Sequence, residues 1–348
     1  MLRIPNPSCR LELHGDAVKL RDLTCCDGNE NRLGTHNQPS WATPQSPGQQ
    51  LWRYGFCKVP PKQPRQIDLF RYNLQGTTGY SVCCKPEPLN FHTHKLEDDD
   101  LTFYDGTSIC WVWIHIPFQT DEFISSVWIR RRQRFDRELA LAFETTKKRT
   151  ILLGSWAMPS LTDDTWTLLA TPVGAPGQFF FEKCPHDIRA LISQSPKPSQ
   201  QPRRPHFPTP LSTPPITRNL EGFFWSSARA GGIANVVPCY GQNDEQSQVL
   251  GLLISYLDGM KACVGQVRLD HLGPPFTPDP SQSLYLGFKL TEPGCPYVAE
   301  IRPSAVPLDS TLISWFEVEW SGTLEWWFSF RQCQVWQNGR KSLATMSV

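Results

Sequence analysis

The chain has 348 residues, with 34 Lys plus Arg against 33 Asp plus Glu and a formal net charge of +1. That balance lacks the basic excess typical of a nucleic-acid binder, so nucleic acid is not an expected partner. With 32 prolines and 13 tryptophans, the composition disfavours long helices, since proline removes a backbone donor and clashes with the preceding turn, and it suits strands, where aromatic side chains pack well.

The opening "MLRIPNPSCRLELHG" has no apolar run of the kind a secretory leader needs. No stretch approaches the roughly 18 apolar residues that would span a bilayer. The expectation is an intracellular protein, cytoplasmic or nuclear, with no membrane association and with its twelve cysteines held as thiols. Residues 1–90 are rich in turn chemistry, as in "GNENRLGTHNQPSWATPQSPGQQ", and read as an irregular N-terminal region in which runs such as "CRLEL" form isolated strands. Cys83 and Cys84 are adjacent, and His92 and His94 follow at a spacing that puts both imidazoles on one side of a strand. The spacing matches no zinc-finger pattern, and neither a metal nor a cofactor is expected. The phosphate-binding glycine loop, the Gly-x-Ser-x-Gly elbow and the His-Glu-x-x-His helix are all missing, so no catalytic residue is singled out.

From residue 91 to 192 the chain becomes strand-like. "SICWVWIHI", "FISSVWIR", "TWTLLAT" and "GQFFFEK" are β-branched and aromatic runs separated by turn residues. Residues 139–154, "LALAFETTKKRTILLG", fit a helix face or an alternating strand equally well. An ungapped match to 250–265, "LGLLISYLDGMKACVG", decides for strands. Leu139, Leu141, Phe143 and Gly154 fall on Leu250, Leu252, Ile254 and Gly265. Lys147-Lys148 falls on Asp258-Gly259, and Asp-Gly between alternating apolar runs marks a hairpin. Both segments are therefore expected to be hairpins. Arg130, Arg131, Arg132 and Arg134 then belong to a loop before the first hairpin, where they form a candidate docking patch for an acidic protein segment or a phosphate.

Residues 193–218, "SQSPKPSQQPRRPHFPTPLSTPPITR", carry eight prolines and read as an exposed, semi-extended linker. A second strand-rich module covers 219–340, and 341–348 form a tail. In "TLEWWFSF", Leu324, Trp326, Phe328 and Phe330 alternate toward a core, which leaves Trp327 on the other face as a candidate surface aromatic. The fold expected is all-β: two related antiparallel β modules packed as a sandwich or β-prism-like unit, with little helix.

The strings "HTHKLEDDDLTFYDG", "DEFISSVWIRRR", "ELALAFETTKKRTILLG", "DDTWTLLATP" and "GTLEWWFSFRQCQVW" resemble a family of uncharacterised filamentous-fungal proteins, over roughly residues 91–340. Many members of that family carry an N-terminal F-box, and residues 1–90 contain none. A fainter resemblance links "DEFISSVWIR…LALAFETTKKRTILLG" and "GLLISYLDGMKACVG" to the strands of jacalin-like β-prism lectins. Their sugar loop has a Gly-x-x-x-Asp pattern; the nearest match here, Gly241 to Asp244, is one residue short. The function expected is a non-enzymatic β-rich binding or interaction protein with a protein partner. The alternatives are a jacalin-like lectin, with a glycan as ligand, and an enzyme whose site is assembled from dispersed residues.

Overall fold

The computed structural model describes residues 10–15, 20–26, 40–41, 52–55, 66–85, 87–96, 100–105, 110–132, 139–156, 164–172, 174–184, 187–193, 205–215, 221–241, 248–304 and 313–344. The strands, in chain order, are β1 (Arg10–Gly15), β2 (Leu20–Cys26), β3 (Ser40–Trp41), β4 (Trp52–Gly55), β5 (Gln66–Tyr72), β6 (Thr77–Lys85), β7 (Glu87–Lys95), β8 (Val112–Pro117), β9 (Ile124–Arg132), β10 (Leu139–Thr145), β11 (Thr150–Leu153) and β12 (Asp164–Ala170). They continue as β13 (Gly177–Cys184), β14 (Asp187–Ser193), β15 (Phe224–Arg229), β16 (Ile233–Tyr240), β17 (Val249–Tyr256), β18 (Lys261–Gly265), β19 (Leu284–Leu290), β20 (Pro296–Arg302), β21 (Ser314–Val318), β22 (Thr323–Phe328), β23 (Cys333–Gln337) and β24 (Arg340–Lys341). Helix among the described residues is limited to two single 3-10 turns, Thr102–Tyr104 and Leu269–His271. The all-β expectation holds. No helix among these residues is long and apolar enough to cross a membrane.

The chain forms two compact units. The smaller comprises Met1–Phe70 and Gln178–Lys197. Its main sheet has the order β3-β5-β13-β14-β4, and β1 and β2 pair separately as a hairpin. Ile67, Phe180 and Ile192 form its core cluster with Leu69 against them, and Phe70 packs on Phe179 with ring centroids 5.1 Å apart. Strands thus occur where an irregular N-terminal region was expected. The turn-rich composition of residues 1–90 sets the connections, while "RQIDLFRYN" carries enough β-branched and aromatic surface to enter a sheet.

The larger unit, Arg71–Gly177 with Pro198–Val348, holds four sheets: β7-β6-β8; β11-β10-β9-β12; β15-β22-β23-β24; and β16-β17-β20-β19-β21, with β18 also paired to β17. Both expected hairpins are present, and they share one register. Leu141 faces Leu153, and Phe143 faces Ile151. At the matching positions Leu252 faces Val264, and Ile254 faces Ala262. The turns agree as well. Thr145 N–H donates to Arg149 O, and Tyr256 N–H to Met260 O. Each turn has three residues, and the last sits at positive φ: 60° at Lys148 and 81° at Gly259. This is the three-residue hairpin loop that ends in a left-handed residue, a longer connection than a two-residue Asp-Gly turn. The strand before each hairpin adds a third member, since β9 pairs β10 and β16 pairs β17.

The two halves of the larger unit meet through backbone contacts. Val267 N–H donates to Trp113 O at 3.2 Å, and Trp156 N–H to Phe223 O at 2.7 Å. In β22, Leu324, Trp326 and Phe328 are buried on one face, as alternation requires. Phe330 does not follow them. It lies beyond the strand end, where alternation lapses, and is 49 % exposed.

Candidate functional site

Trp327 is the first departure from the surface role read off the sequence. It does point away from Trp326, but it is only 1 % exposed. What covers it is the proline-rich segment. Residues 205–215 do not run free as a linker; they dock on the second face of β22. The carboxylate of Glu325, itself buried, accepts the backbone N–H of Leu211 at 2.7 Å and of Ser212 at 2.9 Å. It also accepts the Ser212 hydroxyl. The Trp327 indole N–H donates to Ser212 Oγ at 2.7 Å. Glu325 and Trp327 are two apart in one strand and so project to the same face. Composition predicted an exposed segment because its side chains bury little area. The missing term is the backbone: a buried carboxylate needs donors, and two adjacent N–H groups supply them.

The docking surface extends beyond Glu325 as an aromatic belt. Trp225 on β15 faces Trp327 across the strands, and Trp156, just after β11, completes a cluster with centroid separations of 5.2, 6.0 and 6.2 Å. At the other end of the segment, Phe207 packs on Trp166 of β12 at 4.8 Å. Arg130 links the two ends. It lies opposite Trp166 in the β9–β12 register, its guanidinium sits 5.8 Å from the Trp166 ring centroid, and its Nη2 donates to Ser155 O at 2.9 Å. Within the segment Pro205 is buried, whereas Leu211 is 64 % exposed.

This corrects the expected arginine patch. Arg130 is 3 % exposed and belongs to the belt rather than to a solvated loop. Arg131 and Arg132 continue β9, opposite Thr165 and Asp164 of β12. The reason is that β9 runs three residues further than its apolar stretch, held by backbone pairing to β10 and β12. Arg134 lies outside the described residues. The structure therefore brings two sequence candidates, Arg130 and Trp327, onto one belt. Sequence reasoning missed Glu325, Ser212, Trp156, Trp166 and Trp225. The signal for Glu325 was available: it is the one charged residue in "TLEWWF" and shares a face with Trp327.

A second polar cluster lies in the β7-β6-β8 sheet. Ser81 on β6 faces His115 on β8 in register, and His94 approaches from β7. The Ser81 hydroxyl meets His94 Nε2 at 2.8 Å, Tyr104 OH at 3.0 Å and His115 Nδ1 at 3.1 Å. A hydroxyl has one proton to give and two lone pairs, so three partners saturate it. Tyr104 OH in turn accepts Leu269 N–H at 3.2 Å. Gly79 makes room for the rings: a Cβ there would lie 2.7 Å from Ile116 O and 3.2 Å from His115 Cε1. Burial, with His94 close by and Lys261 further off, pushes the His115 imidazole down to about 3, so it is neutral. Burial likewise pushes the Tyr104 phenol up to about 12. His92 shares the face of His94, as their spacing predicted, and stacks on Phe103 at 3.7 Å. Among the described residues no group of three His, Cys, Asp or Glu side chains is placed to hold a metal. With every member buried, this cluster acts as a polar cross-brace for the sheet.

No protein-family model matches the chain, and no curated protein matches it.

Proposed function

We propose that the chain is a non-enzymatic interaction protein whose aromatic belt holds proline-rich protein segments. The observation that supports this reading is the docking of its own residues 205–215 across the belt, from Trp166 to Glu325 and Trp327. Proline-rich segments are suited to such surfaces. Their fixed φ lowers the entropy lost on binding, and aromatic rings offer flat apolar faces with a polar edge. The covalent link raises the local concentration of this segment at the belt. A partner segment of the same chemistry competes with it.

The test uses the full chain with 205–215 replaced by a Gly/Ser stretch of equal length. A fluorescent synthetic peptide spanning 205–215 is titrated into it and followed by anisotropy. Saturable binding to the replaced chain, and weaker binding to the native chain, is the expected result. A replaced chain with native circular dichroism that does not bind the peptide overturns the proposal.

A further inference from the structure

We infer that the belt selects its segments by a serine, a non-proline residue just before it and an aromatic ring five residues before it. This rests on the reading above and names the partner it implies.

The serine requirement comes from the two roles of one oxygen. Ser212 Oγ donates to Glu325 and accepts from the Trp327 indole N–H. An indole N–H only donates and a carboxylate only accepts, so the group between them must do both. A hydroxyl does so within a two-atom side chain; an alanine methyl does neither. Removing it strands two buried polar groups at once.

The residue before the serine is read by its backbone. Glu325 takes the N–H of Leu211 and of Ser212. Proline has no N–H, so proline is excluded at both positions. In "PTPLSTPP" Leu211 and Ser212 open the three-residue interruption between Pro210 and Pro214. The Leu211 side chain is 64 % exposed, so its identity is not read.

The aromatic position follows from Phe207 on Trp166. Phe207 lies five residues before Ser212, so the ring and the hydroxyl are read at a fixed spacing along one segment.

The test is a peptide series on the same Gly/Ser-replaced full chain. Relative to the 205–215 peptide, Ser212→Ala and Leu211→Pro are expected to weaken binding at least tenfold. A phosphate on Ser212, which sets two negative charges against Glu325, is expected to do the same. Phe207→Ala is expected to weaken binding by roughly three- to tenfold, and Leu211→Ala by less than twofold. If the parent peptide binds and Ser212→Ala or Leu211→Pro binds equally well, this inference falls while the proposed function stands. If no peptide binds, both fall. Should the replaced chain not fold, hydrogen exchange on the intact chain decides. Ser212→Ala is expected to speed exchange of the 211 and 212 amides at least tenfold and Leu211→Ala to leave Ser212 protected; equal exchange in both variants overturns the inference.

Discussion

Replacing Ser81 by alanine tests whether the buried polar cross-brace stabilises the sheet. The substitution removes one oxygen and three hydrogen bonds, to His94, Tyr104 and His115. All four residues are buried, so water is poorly placed to replace the lost partner. Each stranded group costs about 1–3 kcal/mol. The two imidazoles lie 5.1 Å apart between ring centroids and can relax toward each other, which recovers part of the loss. The net cost expected is about 3–5 kcal/mol, a large share of the roughly 5–15 kcal/mol that holds a domain folded. For a chain of 348 residues that corresponds to a fall in Tm of roughly 4–7 °C. The assay is urea denaturation of the full chain followed by tryptophan emission, with m compared between variants. Ser281→Ala is the control. The Ser281 hydroxyl binds Asp279 in an exposed turn, so its loss should cost no more than about 0.5 kcal/mol. A Ser81→Ala cost below about 1 kcal/mol, with m unchanged, would refute the cross-brace.

His115 should also make stability depend on pH. It stays neutral in the folded chain, whereas in the unfolded chain it gains a proton below about pH 6.5, so the unfolded state binds more protons. Its contribution is complete above pH 6.5 and is lost toward pH 3, at about 1.4 kcal/mol per pH unit; urea midpoints of the native chain and of His115→Gln should converge on acidification, and parallel curves would count against it. At the first hairpin, Lys148→Gly should stabilise by about 0.5–1 kcal/mol, because Lys148 holds a φ of 60°. The matching Gly259→Lys, at a φ of 81°, should destabilise by about 1–2 kcal/mol; thermal melts that show no difference in sign would remove the equivalence of the two turns. Cys239 and Cys333 are buried, and burial pushes both thiols up to about 12. A thiol reagent at neutral pH should therefore label exposed Cys110 before those two, which it should reach only on unfolding, as mass mapping of the labelled peptides will show.

Local pattern was enough to assign the two matching hairpins and many of the strands between residues 91 and 340, but not those within residues 1–90. Alternation and the 139–154 match to 250–265 led to β10–β11 and β17–β18. These features depend on residues a few places apart, and neighbouring side chains and turn dihedrals are written into the sequence itself. Alternation also put Glu325 and Trp327 on one face. It could not say what lies on that face. The cover comes from Leu211 and Ser212, more than 110 residues away along the chain. Nor does composition alone distinguish a proline-rich segment in water from one whose N–H groups meet a buried carboxylate. Arg130 reads as a surface cation among its neighbours in sequence, and it is buried because β12 sets Trp166 opposite it. Ser81, His94, Tyr104 and His115 are likewise unremarkable apart. Their cluster exists because antiparallel pairing of β6 with β7 and β8 brings three strands into register, and register between strands distant in sequence is a property of the folded sheet.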